Sequence, residues 1–239
     1  MEYKDKEFDL ANTKKYAEKK WEIDKAMEEF SAPFIEGKQL SVLDACSGVG
    51  QIAYYLAKRS PESKFLGVDH APFYTEEAQK LYSGQKNLSF ETEDIYKLPE
   101  KYPKEFDVTI SHKTITWQPY YTDIMKAMFA VTKKHIFISS LFYDEDIDFE
   151  INIREYKKEG AKDGFNSQYN VYSFPRFKDF AFSLGAKNIE AQNFEIGIDV
   201  PKPPAGQVGT YTVKTENGHR LQISGIILML WKFIRIDLA

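Results

Sequence analysis

A chain of 239 residues with 43% hydrophobic side chains is long enough to bury one sizeable α/β core. Its 32 Lys and Arg against 36 Asp and Glu give a formal charge of -4, which argues against nucleic acid as the main partner. One cysteine, Cys46, excludes an internal disulfide and fits a reducing cytoplasm, and a charged amino terminus with no apolar run longer than Ile226–Trp231 argues against secretion or membrane insertion.

Residues 12–33 carry helical spacing, with Tyr16, Trp21, Met27 and Phe30 recurring among Lys and Glu until Pro33 ends the pattern. Leu40–Asp44 reads as a short apolar strand that runs into a glycine-containing turn, and helical spacing resumes over Gln51–Arg59. Lys64–Asp69 is a second strand, followed by a helix around Thr75–Tyr82. Leu88–Glu91, Phe106–Ser111 and His135–Ser140 are further strands, with a helix over Tyr121–Val131. Strands alternating with helices imply right-handed crossovers and a parallel sheet. The segment 141–172 is polar and aperiodic, and reads as a long loop or lid. Ser173–Leu184 is a helix capped by Ser173, with Pro175 in its first turn and Gly185 at its end. Lys187–Ile198 is a strand, Thr210–Thr215 another, Glu216-Asn217-Gly218 a hairpin turn, and Leu221–Ile236 a long apolar strand.

The first turn carries the chemistry. In Val42–Gly50 (VLDACSGVG) a strand ends in an acid, a glycine loop follows, and a helix begins. Glycines permit sharp turns and close approach of a ligand, and helix N-terminal amides attract polar groups. Gly48-Val49-Gly50-Gln51-Ile52-Ala53 also matches the dinucleotide fingerprint G-x-G-x-x-A, with Asp69 available for a ribose. Asp44 weighs against a dinucleotide, because a carboxylate beside a pyrophosphate is unfavourable, whereas a cofactor bearing an amino group and a sulfonium welcomes it. There is no P-loop sequence.

VLDACSGVG together with GVDH at Gly67–His70 resembles the class I S-adenosylmethionine-dependent methyltransferases. FETEDIYKLP, the FDVTISHKTITWQPYY segment and KKHIFISS are similar to that family's third, fourth and fifth strand regions, so the resemblance spans residues 40–236. Cys46 departs from it, standing where the family usually has Gly. The resemblance implies one Rossmann-like α/β domain: a mostly parallel seven-stranded sheet with an antiparallel C-terminal hairpin and helices on both faces. Residues 1–39 would form a helical cap, 40–140 the cofactor-binding core, 141–172 an insertion or lid, and 173–239 the C-terminal helix and antiparallel strands.

It also implies S-adenosylmethionine as cofactor, S-adenosylhomocysteine as product, and a set of residue roles. Asp44 would bond the methionine amino group, with Cys46, Gly48 and Gly50 approaching the cofactor. Asp69 would take the ribose hydroxyls beside His70, Asp94 the adenine amino group, Ile95 the ring face, and Ser111 would lie beside the methyl. Each has a plainer reading as a turn, cap or strand-end residue. His112 is the candidate to act as, or position, the general base, because an imidazole titrates near neutrality. Trp117 and Tyr143 would wall an acceptor pocket. Asp144 and Asp146, alternating with Asp148, would orient sugar hydroxyls or chelate a divalent ion, although methyl transfer needs no metal. The expected activity is methyl transfer to a small molecule, with a hydroxyl of a sugar or sugar nucleotide as first choice, no nucleic-acid or membrane partner, and a cytoplasmic location. An NAD-dependent oxidoreductase and an inactive cofactor-binding relative are the alternatives.

Overall fold

The strands expected before residue 140 form, and they pair in parallel because a helix returns the chain across the sheet after nearly every one. The computed structural model describes residues 19–155, 165–205 and 209–239. In chain order the first elements are α1 (Glu22–Ser31), β1 (Ser41–Ala45), α2 (Gln51–Arg59), β2 (Lys64–Asp69), α3 (Pro72–Leu81), β3 (Leu88–Thr92), the short α4 (Leu98–Lys101), β4 (Phe106–His112), α5 (Thr122–Val131) and β5 (Thr132–Tyr143). There follow β6 (Asn152–Glu155), β7 (Phe165–Gln168), β8 (Tyr172–Ser173), α6 (Phe174–Ser183), β9 (Asn188–Asn193), β10 (Thr210–Lys214), β11 (Arg220–Ser224), β12 (Ile227–Leu228) and β13 (Trp231–Asp237). The main sheet runs β3-β2-β1-β4-β5-β13-β9, with β8 pairing the end of β5. Only β13 is antiparallel to its neighbours β5 and β9. This is the Rossmann-like sheet with an antiparallel closing hairpin.

Strand side chains alternate between two cores. Leu43, Ala45, Ile136, Ile138 and Phe142 pack on one side with Met125, Met128 and Phe177 of α5 and α6. Val42, Val108, Ile110 and Phe137 pack on the other with Met27 of α1 and Ile52 and Leu56 of α2. β5 is buried on both faces, so Ile136-Phe137-Ile138 reads as a continuous apolar run rather than an alternation.

Four expectations need correction. The first helix begins at Glu22 and ends in a 3-10 turn over Ala32–Phe34, while Tyr16 lies outside the described residues. β5 extends beyond both expected ends, because β4 pairs with it from Thr132 and β8 pairs with Phe142 and Tyr143. Residues 141–172 are not one structureless loop: β6 and β7 pair antiparallel, and residues 156–164 fall outside the description. Leu221–Ile236 is not one strand. Gly225, at φ +60°, turns β11 into β12, and only Trp231–Asp237 joins the main sheet. The hairpin at Glu216-Asn217-Gly218 is real, but it joins β10 to β11 in a separate three-stranded sheet. No helix among the described residues is long and apolar enough to cross a membrane.

Candidate active site

At the carboxyl edge of the sheet, β1 ends beside β2 and β4, and the chain turns back into α2 through three left-handed residues: Cys46 (φ 61°), Gly48 (φ 54°) and Gly50 (φ 74°). Gly50 is required twice over. Its backbone is left-handed, and a Cβ there would lie 2.1 Å from the Phe90 ring. At Gly48 a Cβ would meet nothing within 4 Å, so only the backbone demands glycine and its outer side is open to a ligand. Cys46 occupies the left-handed conformation that the usual Gly would adopt without strain. Burial, then the charges of Asp69, Asp44 and Asp94, push its thiol well up, so Cys46 is a packed neutral group rather than a nucleophile.

Two buried acids frame this loop. Asp69 accepts the Gly48 amide on Oδ2 at 2.9 Å and the Ala71 amide on Oδ1 at 3.0 Å, so the end of β2 ties down the turn after β1. Each carboxylate oxygen keeps acceptor capacity beyond those bonds. Burial pushes the Asp69 carboxyl up, against the pull of the Ala71 and Gly48 amides. Asp44 accepts only the Ala53 amide, at 3.3 Å, and no cation of the chain bonds it among the described residues. Burial, eased by that amide and reinforced by Asp69, pushes Asp44 up to about 7. A buried carboxyl in that state lacks a positive partner, and an ammonium group supplies one. Ser47 Oγ, in the same turn, is buried with no hydrogen-bond partner. The donor set therefore fits a cationic, hydroxyl-bearing ligand.

The remaining cofactor candidates are near this edge but do not all converge. Asp94 caps the turn Ile95–Lys97 by accepting the Tyr96 amide at 3.0 Å, and Ile95 is buried in the core that holds Leu43 and Val68. His70 is half exposed, its Nδ1 3.5 Å from Asp69 Oδ1. Ser111 is buried with an unpartnered Oγ, but it alternates with His112 along β4 and lies on the opposite face of the sheet. Asp44 pairs with Ile110 in the β1–β4 ladder, which puts it on the same face as His112.

His112 is enclosed. Its Nε2 lies 2.8 Å from Asp24 Oδ1 on α1, and its Nδ1 lies 2.7 Å from Ser139 Oγ on β5. Lys113 donates to the same Asp24 oxygen from Nζ at 2.8 Å and to Ser139 Oγ from its backbone amide at 3.0 Å. Asp24 Oδ2 accepts the Trp21 amide at 3.1 Å, which also caps α1. Lys113 is left-handed at φ 61°, a strained state for Lys, held by its amide bonds to the Ser139 carbonyl and hydroxyl. Burial and the Lys113 charge, opposed by Asp24, lower His112 to about 4. Burial disfavours the Asp24 carboxylate, yet His112 and Lys113 outweigh it and hold its carboxyl well below the usual range. Both ring nitrogens are thus committed inside the protein. Of the two roles expected for His112, this geometry supports positioning over direct proton abstraction.

The proposed acceptor residues disperse. Asp144 pairs with Lys232 Nζ at 3.0 Å, Asp146 with Arg176, whose Nη2 donates at 3.1 Å, and Asp148 accepts the Ser173 amide at 2.6 Å. The alternating acids therefore point to three different partners, and among the described residues no group of three His, Cys, Asp or Glu is arranged to hold a metal. Trp117 stands edge-on to Tyr169 at 4.5 Å between ring centres, and Tyr143 edge-on to Phe149 at 5.4 Å. Both are half-buried near the β6–β7 hairpin.

Asp24, Lys113 and Ser139 were not legible as site residues. One signal was present: Asp24 shares a helical stripe with buried Met27 and Ser31, and a charge on a buried stripe calls for a partner.

Residues 36–172 match the model of a family described as a methyltransferase domain. A 99-residue stretch is 30% identical to malonyl-[acyl-carrier protein] O-methyltransferase 1 of Ilyobacter polytropus, covering 40% of this chain and 36% of that protein. The fold is similar to Burkholderia thailandensis 1,6-didemethyltoxoflavin-N1-methyltransferase, solved with 1,6-didemethyltoxoflavin and S-adenosylhomocysteine bound (TM-score 0.58, 14% identity, 91% of this chain and 79% of that one). It is similar also to magnesium protoporphyrin IX methyltransferase from Synechocystis PCC 6803, solved with S-adenosylmethionine bound (TM-score 0.54, 12% identity, 91% and 78%).

Proposed function

Because this chain belongs to the methyltransferase domain family and uses S-adenosylmethionine as its methyl donor, we propose that it methylates a hydroxyl oxygen of a small acceptor, a sugar or sugar nucleotide. The observation that carries the assignment of the donor site is Asp44, a buried carboxyl without a cation beside a left-handed glycine loop. The donor supplies a methyl group already activated on a sulfonium. Asp44 bonds its ammonium group, Asp69 its ribose hydroxyls, Asp94 and Ile95 its adenine, and the open side of Gly48 admits it. A dinucleotide fits this turn poorly, because Asp44 would face a pyrophosphate across a dry contact.

The protein's task is then alignment and exclusion of water. α1 caps the core, and the β6–β7 hairpin with Trp117 and Tyr143 forms the acceptor side. Half-buried aromatic rings suit the faces of a sugar. An oxygen acceptor is supported by the O-methyltransferase named above, which matches over part of its length. His112 positions the end of β4 against α1 through Asp24 and Ser139.

The test has two arms. Titration calorimetry with S-adenosylhomocysteine and with NAD examines the donor site, and binding of NAD alone would reject it. Turnover on sugars, sugar nucleotides and amines, with the product methyl located by mass spectrometry, examines the acceptor. Methylation of amines alone would reject the hydroxyl.

A further inference from the structure

The turn that carries Trp117 is held from outside itself. It is a single 3-10 turn over Ile115–Trp117, closed by the Trp117 amide on the Thr114 carbonyl and the Gln118 amide on the Ile115 carbonyl, each at 3.0 Å. Backbone carbonyls taken out of water need partners, and those of Thr116, Gln118 and Pro119 find theirs in Asn170, which is 1% exposed. The Asn170 backbone amide donates to Thr116 at 2.8 Å. Its side-chain Nδ2 donates to Gln118 at 2.9 Å and to Pro119 at 3.4 Å. Thr116 Oγ1 returns a bond to the Asn170 carbonyl at 2.7 Å.

The same side chain reaches two further elements. Asn170 Oδ1 accepts the Ile151 amide at 3.0 Å at the entry to β6, and Nδ2 donates to the Tyr172 hydroxyl of β8 at 3.2 Å. That hydroxyl donates in turn to the Gln118 carbonyl at 2.7 Å. The position needs a donor and an acceptor on one short planar group, which a primary amide supplies and a carboxylate does not.

This tie lies one residue away from each of two facing rings. Thr116 precedes Trp117, Asn170 follows Tyr169, and the rings stand edge-on at 4.5 Å between centres. The Tyr169 amide is itself bonded to the Ile151 carbonyl at 2.9 Å. A ring on a turn is placed only as well as the turn is held, and misplacement by about 1 Å can cost a reaction about 10²-fold.

We propose that Asn170 is the positioning residue of the acceptor site. It fixes Trp117 and Tyr169 as one wall by joining the turn after β4 to β6 and β8. The role rests on the acceptor side assigned above, and Asn170 acts through the two rings.

Asn170→Asp tests this, because it keeps the size of the side chain and sets an acceptor against the Gln118 and Pro119 carbonyls. With fluorotryptophan incorporated, Trp21, Trp117 and Trp231 each give a fluorine NMR signal, and Trp117→Phe identifies one of them. In Asn170→Asp the Trp117 signal should shift and broaden while those of Trp21 and Trp231 hold. Calorimetry should find the affinity for S-adenosylhomocysteine unchanged. Among the sugars, sugar nucleotides and amines screened for turnover, the KM of the methylated acceptor should rise about tenfold, with kcat changed far less. Thr116→Val removes one bond of the tie, should move the same two readouts by less, and serves if Asn170→Asp does not fold. A Trp117 signal identical to wild type in both variants overturns the role of Asn170. A moved signal with an unmoved KM overturns it from the other side, by placing the acceptor away from Trp117. Methylation of amines alone, with the KM raised, rejects the hydroxyl and supports Asn170.

Discussion

Asp24 Oδ1 lies 2.8 Å from His112 Nε2, so a carboxylate on the first helix and an imidazole at the end of the fourth strand share a buried bond. The bond joins two elements 88 residues apart, and it sets how the fold responds to acid.

The native His112 is lowered to about 4 from its ordinary 6.5. Between those values the unfolded chain binds the proton and the native one does not, so stability is full above about 6.5 and falls as pH drops towards 4. Asp24, whose carboxyl is also depressed, adds a loss in the same direction below its ordinary 3.8. On going from pH 7.5 to pH 5 in urea unfolding, the wild type should lose stability relative to His112→Gln, a difference that leaves out the opposing titration of Asp44, and Asp24→Asn should cost about 1–3 kcal/mol at the higher pH. An unchanged difference between the two proteins at the two pH values would mean that the ring is not held neutral.

Asp44 behaves in the opposite sense. Its native carboxyl is raised from 3.8 to about 7, so its contribution favours the folded state at low pH and is lost as pH rises through 7. An ammonium partner favours the charged form. S-adenosylhomocysteine binding should therefore release a proton below pH 7, and its affinity should rise with pH until Asp44 is ionised. Calorimetry in two buffers of different ionisation enthalpy measures that proton. Asp44→Asn should abolish its release and weaken binding by about 1–3 kcal/mol. Binding without proton release would remove Asp44 from the ammonium.

Gly50→Ala meets both a left-handed backbone and the Phe90 ring at 2.1 Å. The expected loss is about 1–2 kcal/mol from the backbone and about 1–3 kcal/mol from overpacking. Gly48→Ala should lose only the backbone part, since nothing lies within 4 Å of its Cβ. Equal losses in urea titrations would contradict the close packing of Phe90 on this turn.

Asp146 and Arg176 form an exposed pair, with side chains 65% and 58% accessible. Such a pair contributes less than about 1 kcal/mol, so Asp146→Ala should scarcely move the melting temperature or S-adenosylhomocysteine affinity. If the KM for a sugar acceptor rises in that variant while the melting temperature holds, Asp146 regains the role of acceptor ligand.

How far the sequence carries this far depends on the range of the interaction. β2 and α2 have the expected ends, Lys64–Asp69 and Gln51–Arg59, because short apolar runs and a glycine loop delimit them locally. Asp44 and Asp69 stand out for the same reason. Asp24 carries no such local mark, because its partners His112 and Lys113 lie far along the chain. The partner of Asp144 is equally distant, Lys232 lying 88 residues away. The break at Gly225 was hidden by apolar residues on both sides of it, from Leu221 to Ile236.

The position of β13 has a consequence for how the chain is made. This strand, Trp231–Asp237, lies between β5 and β9, both of which leave the ribosome before it. Until it emerges, β5 is paired only with β4, and its other edge along His135–Leu141 is an open template for pairing with other nascent chains. The last seven residues of the sheet therefore act as a seal. Their arrival joins β9 to the rest, converts a sticky intermediate into a closed sheet, and makes completion of the sheet wait for its last-made strand.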